Sequence, residues 1–86
     1  VRAVHAGLVV FADWLRGYGL LVVLDHGHGY MSLYGHNESL TVSNGDWVEA
    51  EELLARSGSN SSNRDAGLYF EIRYDGEPQD PAAWLR

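Results

Sequence analysis

The chain contains no cysteine and no lysine; all six of its basic residues are arginine. Without cysteine there is no disulfide to staple the fold and no thiolate to bind a metal or attack a substrate. That leaves the redox compartment open. Twelve acidic residues against six arginines give a formal net charge of −6. An acidic domain with scattered arginines lacks the basic footprint that nucleic acid or an anionic membrane would need. No apolar run approaches the length of a membrane-spanning helix, and the N-terminus carries no signal-peptide pattern. An initiator methionine is also missing. The chain opens directly in strand-like sequence, "VRAVHAGLVVFADW". The expectation is therefore a piece of a longer protein, with any targeting signal outside it. What is present is 86 residues with 45% hydrophobic content, enough for one small domain with a modest core.

Apolar residues recur with period two, not 3.6. "AVHAGLVVFADW" reads as a strand interrupted at Gly7, where a bulge is expected. "LRGYG" turns, and "LLVVLDH" is a continuous apolar run of strand length. "HGHG" supplies the glycines of a tight turn. In "YMSLYGH", alternation puts Met31 and Leu33 on one face, and Tyr30, Ser32, Tyr34 and His36 on the other. "SNGDWV" leads into a short strand at 46–48. "EAEELLARS" has helical composition but marginal length, and reads as an irregular turn followed by a strand at 53–56. "SGSNSSNRDAG" is a long polar loop. "LYFEIRYDG" alternates cleanly, with Leu68, Phe70 and Ile72 on one face and Tyr69, Glu71 and Arg73 on the other. A Pro-bounded tail is expected to pack Trp84 and Leu85 onto the domain. The expected core is Leu20, Val22, Leu24, Met31, Leu33, Leu68, Phe70 and Ile72. The whole reads as a mostly antiparallel β domain without repeats.

"DHGHGYMSLYGH" concentrates His26, His28 and His36 beside Asp25. Two imidazoles two residues apart on a strand could serve a zinc site. Glycines around both favour a hairpin turn with polar tips. Asp25 either orients His26 or is a strand-end charge. His5 reads as a surface strand residue. Tyr34 and His36, two apart, would project together, either as one wall of a site or as a plain solvent face of the sheet.

The motifs "GYG", an apolar strand ending in "DHG", then "YGH", "GDWVEA" and "LYFEIR" with "DP" soon after resemble, in order and spacing, the LytM-type (lysostaphin-like) zinc endopeptidase domain over nearly all of the chain. The resemblance implies a mostly β fold of that type, an antiparallel sheet or sandwich, with 1–86 forming the C-terminal part of a single, degenerate domain. Active members carry His-x-His just before Phe-Glu. The second of those histidines binds zinc, the first assists catalysis, and an upstream His and Asp complete the metal site. Here Gly67 and Tyr69 stand at the His-x-His positions, and the upstream pair would precede Val1. His36 matches the histidine of the Tyr-x-His element. A zinc hydrolase needs three protein ligands and an open position. The expectation is no metal, no cofactor and no catalytic residue.

Within the family the chain is most similar to the EnvC-type murein hydrolase activators, on "FADWLRGYG", "MSLYG" and "LYFEIR". His36, where a member of that subgroup carries tyrosine, and Glu51, where glycine is usual, are departures. The resemblance implies a non-catalytic activator of periplasmic N-acetylmuramoyl-L-alanine amidases in a Gram-negative bacterium. Such an activator displaces an inhibitory helix during septal peptidoglycan splitting. The parent protein would carry a coiled coil and link to a membrane division complex. The groove expected to bind the amidase comprises Tyr18, Leu21, Tyr34, His36, Tyr69, Glu71 and Arg73. Against that stands the reading in which Tyr34 and Tyr69 only pack a sheet face and Arg73 pairs on the surface with Glu71 or Asp75. The competing function is a zinc-dependent peptidoglycan endopeptidase, or a metal-free remnant that binds peptidoglycan. A chain missing its first strands would expose a sheet edge and invite self-association.

Overall fold

Among the described residues the period-two pattern becomes seven strands: β1 (Gly7–Leu15), β2 (Gly19–Gly27), β3 (Tyr30–Leu40), β4 (Trp47–Val48), β5 (Ala55–Ser57), β6 (Tyr69–Tyr74) and β7 (Glu77–Gln79). The computed structural model describes residues 1–57 and 69–79. The polar loop after Ser57, Leu68, Trp84 and Leu85 lie outside the described residues. All strands join one antiparallel sheet in the order β4-β1-β2-β3-β6-β7, with β5 also pairing β3. No helix forms among the described residues. The helix-like interval forms a turn and a strand, but the strand is β5 at Ala55–Ser57 instead of 53–56, and Leu53 makes an isolated bridge to Arg2.

One face of the sheet is the core. Val9, Val22, Leu24, Tyr34, Val48, Leu54 and Ala55 are each 1% exposed or less and pack together, with Phe70 and Ala12 against them. Each fully buried Val or Leu contributes about 1.5–3 kcal/mol. Residues 1–6 lie over this core. Ala3 N donates to Glu52 O (3.0 Å), Glu51 N to Ala3 O (2.8 Å) and Leu54 N to Val1 O (2.9 Å).

The same face carries a buried polar chain. Val4 N donates to Tyr34 Oη (3.2 Å), Ser32 Oγ lies 2.7 Å from Tyr34 Oη, and His26 Nε2 lies 2.6 Å from Ser32 Oγ. His26 Nδ1 lies 2.8 Å from Ala6 O. A carbonyl only accepts, so Nδ1 carries the proton and every later donor is then determined. Ser32 donates to His26 Nε2, and Tyr34 donates to Ser32. Burial lowers the His26 pKa below its ordinary 6.5, which keeps the ring neutral.

Several expectations change. Gly7 marks no bulge: the β1–β2 irregularity falls between Val9 and Phe11. Gly7 is required because a Cβ there would come within 2.8 Å of Asp25 O and 2.9 Å of His26 Nδ1. His28 does sit at the tip of the β2–β3 hairpin, exposed and at φ 55°. His26 does not; it is half-buried in the polar chain, and His5 meets its ring edge-on at 6.2 Å. Met31, 37% exposed, is not core, and Leu33, buried as expected at 7% exposed, lies outside the main core cluster. They pair in register with Arg73 and Glu71 and share their face.

Candidate functional site

The opposite face is set by register. Leu33 lies across from Glu71, Met31 from Arg73 and Gly35 from Tyr69, while Val23 lies across from Leu33 on the other side. Directly opposed residues share a sheet face. With Phe11 and Leu15 of β1, Leu21 of β2 and Tyr18 of the intervening turn, they form a groove. Phe11, Leu15, Tyr18, Leu21, Val23, Met31, Leu33 and Arg73 line a cavity of 240 Å³. That is smaller than the roughly 300–1,000 Å³ typical of small-molecule sites. It has the size for a few apolar side chains from a peptide or helix laid along it.

One wall is polar. Tyr69 Oη donates to Glu71 Oε2 (2.5 Å), and Arg73 donates to Glu71 through Nε to Oε1 (2.8 Å) and Nη2 to Oε2 (3.3 Å). The Arg73 bonds hold the Glu71 carboxyl below its ordinary value of 4.5, and that carboxylate in turn raises the Arg73 pKa. The Tyr69 phenol is pushed up to about 12, first because it donates to Glu71 and then by burial. Tyr18 meets the Tyr69 ring edge-on at 5.2 Å, and His36 lies 6.1 Å away. Gly35 makes room for that ring: a Cβ there would stand 3.3 Å from Tyr69 Cβ and 3.1 Å from Tyr18 O.

Of the residues expected in the groove, Tyr18, Leu21 and Arg73 line it, Tyr69 and Glu71 form the wall with Arg73, and His36 stands at the Tyr69 end. Tyr34 does not belong there. It is 1% exposed, faces the core, and ends its ring in the Ser32 and Val4 hydrogen bonds. Alternation should have kept His36 on the Tyr34 face. Instead His36 adopts φ 60°, and the β2–β3 register shifts between Leu20–Asn37 and Val22–Tyr34. The irregularity turns His36 toward Tyr69. Asn37 bridges it, with Nδ2 donating to Leu20 O (2.9 Å) and Tyr34 O (2.8 Å). Phe11, Leu15, Val23, Met31 and Leu33 were missed as groove residues. Only strand register could have assigned them.

The profile of Peptidase family M23 matches residues 1–81. The chain belongs to that family. It is 49% identical over 85 residues to the murein hydrolase activator EnvC of Escherichia coli (strain K12), covering 99% of this chain and 20% of that protein. It is 44% identical over 86 residues to the lipoprotein NlpD/LppB homolog of Pseudomonas aeruginosa, covering 99% and 29%. The chain thus spans under a third of the length of either relative. Among solved M23-type folds, it is similar to the antimicrobial peptidase lysostaphin from Staphylococcus simulans, with 28% identity, TM-score 0.86, and coverage of 99% of this chain and 38% of that one. The LytM-type β fold and the likeness to EnvC expected from the motifs therefore hold.

The family resemblance implies a zinc site in active members, and that site would fall in this groove. The residues described do not fit one. Among them no three His, Cys, Asp or Glu side chains converge as a metal site requires. Tyr69, which the resemblance places at a ligand position of active members, keeps its proton because its hydroxyl donates a hydrogen bond to the Glu71 carboxylate. A protonated phenol is a poor stand-in for imidazole.

Proposed function

We propose that the chain is the C-terminal part of a degenerate LytM domain that acts as a non-catalytic activator of a periplasmic N-acetylmuramoyl-L-alanine amidase in a Gram-negative envelope. One observation carries this reading. At the position that the family resemblance assigns to a zinc-binding histidine of active members, Tyr69 donates to Glu71, which also binds Arg73, beside an apolar groove. Aromatic rings and arginine are the residue types that concentrate binding energy at protein interfaces. The names of the relatives, a murein hydrolase activator and an NlpD-type lipoprotein, support the same role and an envelope location.

Activation is a population shift. The groove binds the amidase with its inhibitory helix displaced more tightly than the closed form. About 10⁴-fold preference would carry the amidase from mostly closed to mostly open. The test is dye release from labelled peptidoglycan by the chain alone, a Gram-negative amidase alone, and both together. Release only in the mixture is expected, with Tyr69→Ala and Arg73→Ala abolishing it while circular dichroism remains native. Normal activation by both folded variants would sink the groove assignment. Chelator-sensitive release by the chain alone would replace this reading with a zinc endopeptidase.

A further inference from the structure

Glu71 differs from its neighbours in what it leaves available. Its side chain is 13% exposed against 35% for Arg73. Both of its oxygens are already engaged by Tyr69 and Arg73. Among the described residues, Arg73 is engaged through Nε and Nη2, and its Nη1 makes no hydrogen bond. The guanidinium thus turns one edge to Glu71, and the residue also lines the cavity.

We propose that Glu71 is a positioning residue: its carboxylate fixes the Arg73 guanidinium and the Tyr69 ring as one net-neutral wall, so the groove offers a partner an apolar floor and a hydrogen-bonding edge instead of an unpaired charge. Bidentate geometry matters because a fork gripping a carboxylate has one orientation, whereas a solvated arginine samples many. Tyr69 is clamped the same way. Its hydroxyl is tied to Glu71, and its ring is bounded by Tyr18, His36 and Gly35. Preorganisation lowers the entropy cost of binding for both side chains. It also selects the partner's chemistry. An incoming carboxylate at Arg73 would meet Glu71 behind it. A backbone carbonyl or side-chain amide at the edge of an amphipathic segment would not. This rests on the groove being a docking surface, as proposed above.

The test has one arm that needs no partner. In the wild-type chain the Arg73 Nε–H resonance should exchange slowly with water, and Tyr69 should resist ionisation in an ultraviolet pH titration. In Glu71→Gln the Nε–H should exchange fast and Tyr69 should titrate closer to the ordinary value of about 10. Glu71→Asp, which keeps the charge but shortens the reach, should also lose the slow Nε–H. Unchanged exchange in both variants would overturn the proposal. The second arm measures binding of a Gram-negative amidase by calorimetry. Glu71→Gln should weaken binding about tenfold, the lower end of what a charged hydrogen-bond network is worth. Added to a Tyr69→Phe/Arg73→Gln double variant it should cost nothing more. A full tenfold loss in that background would make Glu71 a direct contact and overturn its positioning role. If no amidase binds the wild type while the first arm behaves as expected, the activator reading fails and the positioning role stands.

Discussion

Tyr34→Phe tests the placement of Tyr34 most directly. The substitution keeps the ring that packs on Phe70 at 5.4 Å and removes only the hydroxyl. That oxygen accepts from Val4 N (3.2 Å) and lies 2.7 Å from Ser32 Oγ. Without it, Val4 N–H loses its acceptor and Ser32 loses a donor, although Ser32 can still donate to His26. Stranding a donor away from water costs roughly 1–3 kcal/mol. Val4 N is part-buried, while Ser32 is 0% exposed and Tyr34 1%, so we expect about 2 kcal/mol. For a domain of this size that lowers Tm by about 10 °C. Thermal unfolding followed by circular dichroism reads it. At temperatures where the variant is folded, amidase binding should equal wild type, because Tyr34 faces away from the groove. A Tm within about 2 °C of wild type would show that the chain through Ser32 and His26 contributes little. A binding defect in the folded variant would return Tyr34 to the groove.

Other outcomes follow from the same geometry. The His26 pKa is lowered on folding, so the unfolded chain binds its proton more readily, and stability is full above the ordinary 6.5 and lost as pH falls through the lower folded value. Denaturation followed as pH falls below the ordinary 6.5 should show that loss, and His26→Gln should flatten it. The lowered carboxyl of Glu71 acts in a separate, more acidic window, beginning near 4.5. Glu51 adopts φ 69°. Glu51→Gly should therefore stabilise the chain by about 1 kcal/mol, read as a higher urea midpoint; a lower midpoint would refute strain there. Gly35→Ala should push Tyr69 away from Tyr18 and impair amidase binding more than it impairs Tm, and an unchanged affinity would count against the clamped ring.

Much of this protein was legible in the residues. Period-two alternation marked the strands, glycine clusters marked the turns, and the separated motifs pointed to a LytM-type domain. In "LYFEIR" alternation correctly split Phe70 and Ile72 from Tyr69, Glu71 and Arg73, because β6 runs without a break. Alternation assigns the two faces of one strand to each other. It does not say which face of that strand joins which face of the next. So "YMSLYGH" was divided correctly through Tyr34, yet with the wrong half facing the core. Pairing Leu33 with Glu71 reverses that choice, sending Met31 and Leu33 to the groove and Tyr34 inside. His36 escaped for another reason. A single left-handed residue in β3 and the register shift beside it cancel the parity it shared with Tyr34. Tyr69, Glu71 and Arg73 could be named from one strand's sequence. Their joining into one hydrogen-bonded wall over a floor drawn from three other strands and a turn was decided only by tertiary structure, because hydrogen-bond register is a property of strand pairs.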